Sequence, residues 1–211
     1  MEIMVHDIVK FSNIECLEKF VPFPDWVLST TSSLEYGVVR RMPISNQKVP
    51  IGLRGVTRDQ RFGTFIKEEN IIEIIKPPSL VDRIEQFQEQ HYSNSLERIR
   101  EEFNKHKLLW GPTGSVGFEL ATSIKVTSTN SDIDLSIYVD KLEYDFLKEI
   151  GDFLNTLNQR IDVQMEVPSL GAVLLQDYLN NSKTGFIVRT NFGPQMCKIE
   201  QGRLIPVEIS I

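Results

Sequence analysis

At Pro77-Pro78 the spacing of the apolar residues changes, and that change divides the chain into two differently built parts. Upstream, the runs WVLSTT, YGVVRRM, VPIGLRG, FGTFI and IIEIIK are short, β-rich and broken by Pro, Gly and Asn. They predict a small β-rich domain over residues 1–78. Downstream, Ser79 is placed as the N-cap of a helix, and Leu80, Ile84, Phe87, Leu96, Ile99 and Phe103 recur at helical spacing among charges. One or two amphipathic helices are expected there, with a break near Tyr92-Ser93-Asn94. KLLWG, SDIDLSIYV and RIDVQMEV then read as strands, EYDFLKEIGDFLNTL and GAVLLQDYLNN as helices, and TGFIVRT and LIPVEIS as closing strands. Strands alternating with helices predict a mixed-sheet α/β domain over residues 79–211, and an α+β fold overall.

At 211 residues with 41% apolar side chains, the chain can bury a sizeable core. No apolar run approaches the roughly 20 residues needed to span a bilayer. The opening MEIMVHDIVK has His6 and Asp7 where a signal peptide needs basic and then apolar residues, so a soluble, cytoplasmic protein without membrane association is expected. Cys16 and Cys197 lie far apart, outside any metal-binding spacing, and read as buried or incidental thiols. A net charge of -6 argues against nucleic acid as a partner.

Local charge runs the other way. Residues 38–61 hold Arg40, Arg41, Lys48, Arg54, Arg58 and Arg61 against the single acid Asp59, a net +5 that leaves -11 on the remainder. Guanidinium forks match phosphate oxygens, so the segment is either a polyphosphate subsite or a solvated, salt-bridged face.

The densest chemical signal is WGPTGSVGFELATS followed by SDIDLSIYV. Gly114-Ser115 falls between a strand and an apolar helical segment, where backbone N–H groups and a hydroxyl can face a phosphate. Asp132 and Asp134 flank Ile133, so on a strand both carboxylates share one face while Ile133 and Leu135 enter the core. Two neighbouring acids on a strand repel unless a cation lies between them. Asp162, between Ile161 and Val163 on a further strand, offers a third carboxylate for two metal ions or for the proton of a nucleophile. Glu166 has the same parity but lies roughly 13 Å further along. His91 and His106 read as solvent-facing, Trp26 as core, and Trp110 as core or as support for an adenine ring.

Gly-Ser at a strand-to-helix turn, an acid-bearing strand and a later third acid resemble the nucleotidyltransferase superfamily. A narrower resemblance runs nearly end to end. His6-Asp7, PDWV, VVRR, IGLRGVTRDQRFG, Pro77-Pro78, WGPTGSVGFELAT, SDIDL, IDVQMEVP and FIVRTNFGP together resemble the phosphoribosyl-dephospho-CoA transferases that prime the carrier protein of malonate decarboxylase. Ser123 departs from that family, which usually has Gly after FELAT.

The resemblance implies transfer of the phosphoribosyl-dephospho-CoA group from 2'-(5''-triphosphoribosyl)-3'-dephospho-CoA to a serine of the apo acyl carrier protein, with release of pyrophosphate. It further implies two Mg²⁺ ions, replaceable by Mn²⁺, on Asp132, Asp134 and Asp162. Gly114 and Ser115 are then expected at the β- and γ-phosphates, and Arg54, Arg58 and Arg61 at the pyrophosphate or the CoA phosphates. Arg189 either serves the same anion or pairs with a surface acid. The carrier protein is expected to dock near Arg40 and Arg41. The competing readings are a nucleotidyltransferase with another nucleotide and acceptor, and a catalytically silent module that holds a nucleotide or the carrier.

Overall fold

A computed structural model describes residues 2–29, 33–57, 59–87, 90–128, 131–168, 170–201 and 203–207. The amino-terminal part is a five-stranded antiparallel sheet of β1 (Ile8–Lys10), β2 (Tyr36–Val39), β3 (Lys48–Arg54), β4 (Arg61–Lys67) and β5 (Glu73–Ile75), in the order β4-β3-β2-β1-β5. Val9, Phe11, Val39, Val49, Ile51 and Ile66 bury one face, as period-2 alternation demands.

Between β1 and β2, the described part of WVLSTT, residues 26–29, is not a strand. Asp25–Ser29 forms a short helix, α1, in which Val27 is buried while its neighbour Leu28 is exposed. The Pro24 carbonyl accepts the Val27 N–H at 2.9 Å, closing a turn that an extended run could not make. Residues 30–32 lie outside the described residues.

The carboxy-terminal part opens with a 3-10 helix over Pro77–Gln86, whose two prolines occupy positions where N–H donors have no helical partner. Lys76, not Ser79, is its N-cap; the Ser79 hydroxyl donates back to the Lys76 carbonyl at 2.8 Å. The helical break falls at Phe87, because α2 (Gln90–Lys105) runs unbroken through Tyr92-Ser93-Asn94. Tyr92 is fully buried and its hydroxyl donates to the Ser128 and Ser131 carbonyls, which explains a polar-looking stretch inside a helix.

Next come β6 (Leu109–Pro112), α3 (Gly114–Thr122), β7 (Ile133–Tyr138), α4 (Tyr144–Leu154), β8 (Ile161–Val167), β9 (Gly171–Leu174), α5 (Leu175–Asn181), β10 (Phe186–Thr190), β11 (Gly193–Glu200) and β12 (Arg203–Pro206). The seven strands form one mixed sheet, ordered β12-β11-β10-β9-β8-β7-β6. Its one parallel pair is β7 with β8, joined through α4 as a crossover requires. GAVLLQDYLNN begins as β9 and turns helical only at Leu175, since Ala172 and Val173 pair with both β8 and β10.

Ile133, Leu135, Ile137, Val163 and Met165 turn one face of β7 and β8 into the core. The opposite face carries Asp134, Ser136 and Tyr138 beside Asp162, Gln164 and Glu166, matched pair by pair in register. The amino-terminal part closes over this polar face, with His6 and Arg41 reaching Gln164 and Glu166, and Arg54 reaching Ser115.

Candidate active site

The strand-to-helix turn after β6 fixes one wall of the site. Thr113 donates its N–H to the Asp134 carbonyl at 2.8 Å, and Gly114 then takes φ +58 to start α3. A Cβ on Gly114 would lie 1.9 Å from Asp134 Oδ2. Both the backbone conformation and the space therefore require glycine, and they set the Asp134 carboxylate against the first turn of α3.

Parallel pairing fixes the second wall. Asp134 and Asp162 are Cα partners across β7 and β8, and Asp132 lies two residues before Asp134. Burial, then the charge of Asp162 and then that of Asp132, push the Asp134 carboxyl up to about 6, with Arg160 and Arg54 opposing the rise. The nearest base is one that sequence reasoning missed. Arg160 Nη2 lies 3.1 Å from Asp162 Oδ2, and Nη1 lies 3.9 Å from Asp132 Oδ2. Its signal was a base two residues before Asp162, on the same side of an extended chain.

Arg54, from the other sheet, completes the third side. Its Nη2 donates to Ser115 Oγ at 3.0 Å and to the Val126 carbonyl at 3.3 Å, and its guanidinium lies 5.9 Å from the Phe118 ring centroid. A basic residue, a hydroxyl at a helix start and three acids are thus brought to one place. As they stand, no three His, Cys, Asp or Glu side chains among the described residues form a group that could hold a metal ion. The donor set nonetheless suits a hard divalent cation: the carboxylates are oxygen donors, and the charge of Asp162 adds to the cost of ionising Asp134.

Two family models divide the chain between them. The phosphoribosyl-dephospho-CoA transferase MdcG N-terminal domain matches residues 4–77, and the C-terminal domain of the same family matches residues 79–200. The chain belongs to the phosphoribosyl-dephospho-CoA transferase MdcG family. It is 32% identical to a phosphoribosyl-dephospho-CoA transferase of Pseudomonas putida (strain GB-1), over 82% of this chain and 83% of the relative. It is 30% identical to one of Klebsiella pneumoniae subsp. pneumoniae, over 90% of this chain and 92% of the relative. No solved structure matches the chain at a significant level.

The remaining candidate residues of this family member are placed differently. Arg61 is the register partner of Arg54, yet it is exposed and donates to the carbonyls of Thr57 and Gln60 in its own hairpin. Arg58 lies outside the described residues. Arg189 donates to Gln164 Oε1 at 3.2 Å, so it belongs to the far end of β8 and not to the acids. There Arg41 pairs with Glu166, and Gln164 bonds both Glu166, at 2.8 Å, and the His6 ring, at 2.5 Å. Burial holds the His6 imidazole down at about 4, against the pull of Glu166.

Ser123, at the end of α3, adopts the left-handed φ of 60 that a glycine would take without strain. Trp110 is buried edge-on against Phe103, and Trp26 packs against the amino-terminal core. His106 faces Glu102 on α2, whereas the His91 side chain lies outside the described residues. Cys16 and Cys197 are free thiols, the second buried. No described helix is long and apolar enough to cross a membrane.

Proposed function

We propose that this chain transfers the phosphoribosyl-dephospho-CoA group from 2'-(5''-triphosphoribosyl)-3'-dephospho-CoA to a serine of an apo acyl carrier protein, that of malonate decarboxylase, in the cytoplasm. The observation that carries the reading is the register pairing of Asp134 with Asp162 beside the Gly114-Ser115 turn, in a chain of this family. The serine Oγ forms a bond to the α-phosphorus, the bond from that phosphorus to the departing pyrophosphate breaks, and the serine proton leaves towards Asp162.

Asp132, Asp134 and Asp162 are the residues that would hold Mg²⁺, two ions in all. When bound, the ions supply Lewis-acid stabilisation of the phosphoryl oxygens and ease loss of the serine proton. The chain's own groups do the positioning. Ser115 and the first amides of α3 face the β- and γ-phosphates, and Arg54 neutralises charge developing on the pyrophosphate. Arg160, 3.1 Å from Asp162 and 3.9 Å from Asp132, offsets part of the repulsion among the acids.

The test is the intact mass of the apo carrier protein after incubation with this chain, Mg²⁺ and triphosphoribosyl-dephospho-CoA. A gain of one phosphoribosyl-dephospho-CoA group, absent with Asp132→Asn, supports the reading. An unmodified carrier, with transfer to other acceptors from plain ATP, would replace it by the broader nucleotidyltransferase reading.

A further inference from the structure

Arg54 crosses from β3 to the acids, and one of its anchors there is a loop. Its Nη2 donates to Ser115 Oγ at 3.0 Å and to the Val126 carbonyl at 3.3 Å, and its guanidinium lies 5.9 Å from the Phe118 ring centroid. Ser115 and Phe118 are held in place by α3. Val126 belongs to the irregular segment between α3 and β7, whose described residues pair with no strand. The carbonyl that braces Arg54 is therefore only as well placed as that segment.

Glu119 supplies what the segment lacks. It stands four residues after Ser115 on α3, so both side chains leave the same face of the helix. Its Oε2 accepts the Val126 N–H at 3.0 Å, the Thr127 N–H at 3.0 Å and the Thr127 hydroxyl at 2.8 Å. The Glu119 side chain is 12% exposed and Thr127 is buried. Three donors on one carboxylate oxygen, largely out of water, form a strong charge-assisted clamp. Lys125 Nζ, 3.7 Å from Oε1 and more than half exposed, adds little.

Closing the helix does not require this clamp. Ser123 donates its N–H to the Glu119 carbonyl at 2.8 Å, and the Ile124 N–H donates to Thr122 Oγ1 at 3.2 Å. What the carboxylate grips is a single peptide plane. The Thr127 N–H and the Val126 carbonyl belong to the same amide, and in a planar trans peptide they point in opposite directions. Glu119 holds its N–H side while Arg54 donates to its C=O side. An anion on the N–H and a cation on the C=O polarise the amide in the same sense, so each bond strengthens the other.

We propose that Glu119 is a positioning residue for the transfer: through the Val126–Thr127 peptide it sets the Arg54 guanidinium against Ser115, on the side that receives the departing pyrophosphate. The assignment rests on the transfer reading above. It gives Glu119 no contact with donor, acceptor or metal.

The test is a double-mutant cycle on the affinity of the full chain for inorganic pyrophosphate with Mg²⁺, read by calorimetry. Arg54→Met, which removes the charge and keeps an apolar stem, should weaken pyrophosphate about tenfold or more. Glu119→Gln, which keeps the shape and an acceptor oxygen but not the charge, should weaken it about fivefold with Arg54 present and less than twofold beside Arg54→Met. In carrier modification Glu119→Gln should lower kcat and leave the KM for the carrier unchanged. Thermal midpoints check folding. Thr127→Val, which removes one of the three donors and keeps Glu119, should show the same dependence on Arg54 at about threefold, so the cycle stands even if Glu119→Gln does not fold. A merely structural Glu119 would weaken binding by equal factors in the two backgrounds, and equal factors, including no change in either, would overturn the proposal. So would a wild type that does not bind pyrophosphate.

The carrier mass assay separates the two claims. Transfer to the carrier with equal factors in both backgrounds removes the role of Glu119 and keeps the function. Arg54-dependent factors without modification of any carrier do the reverse.

Discussion

The two ends of β8 handle charge in opposite ways. At its start, Asp162 stands beside Asp134 and near Asp132, and burial, then the charges of Asp162 and Asp132, hold the Asp134 carboxyl up at about 6. At its far end, Glu166 is matched by Arg41, and Gln164 links it to His6 and Arg189. One strand face thus carries an unbalanced site and a balanced one. On the proposed reading, charge is only partly compensated, by Arg160, where a cation would bind, and is compensated where the two sheets are held together.

The largest effect should come from breaking the unbalanced end. Asp134→Asn should lower the rate of carrier modification by about 1,000-fold or more, as expected when several kcal/mol of phosphoryl-charge stabilisation is removed. Single-turnover mass spectrometry checks this, and a loss below tenfold would show that the acid pair is not the reaction centre.

Stability should respond in the reverse order. Glu166→Ala strands the largely buried Arg41 and should cost about 3 kcal/mol in urea unfolding. Asp162→Asn, which relieves repulsion while weakening an exposed pair with Arg160, should change stability by less than about 1 kcal/mol. Equal costs for the two would erase the contrast.

A smaller effect is expected beside the balanced end. Asp7 is buried, and burial pushes its carboxyl up to about 6 even though it accepts the Met4 N–H at 2.9 Å. The folded state therefore binds this proton more tightly than the unfolded state does. Stability from this group is full below pH 4 and is lost as pH rises through about 6. Asp7→Asn should stabilise the protein by about 1–2 kcal/mol at pH 8 and by nothing at pH 4. A gain equal at both pH values would contradict the assignment. The smallest effect is that of Ser123→Gly, expected to add about 0.5–1 kcal/mol by relieving the left-handed residue that ends α3.

The sequence disclosed these two ends unequally. Asp134 and Asp162 were legible because period-2 alternation forces acids between core residues onto one face, and Asp132 lies just before β7. The Gly114 turn was legible because glycine there is demanded locally. The mutual register of β7 and β8 was not, since parallel pairing is set through α4 and no turn residue encodes it. The balanced end was invisible for the same reason: Arg41 and Glu166 are 125 positions apart, and neither carries a local signature of the other.

Among the elements, β1 escaped notice because three residues become a strand only by pairing with β2 and β5 on both sides. WVLSTT misled because its β propensity yields to a turn set by Pro24. The basic segment split in a way that composition could not foresee. Arg54 reaches Ser115, Arg41 pairs with Glu166, Arg61 donates to carbonyls of its own hairpin, and Arg40 lies across Gly52 and Gly63.

The most direct test of the unbalanced site is the thermal midpoint of the wild type and of Asp134→Asn as Mg²⁺ is titrated in. Binding of the ion to the folded state alone should raise the wild-type midpoint in a saturable way and leave that of Asp134→Asn nearly flat. Equal rises in both proteins would contradict a metal site on these aspartates.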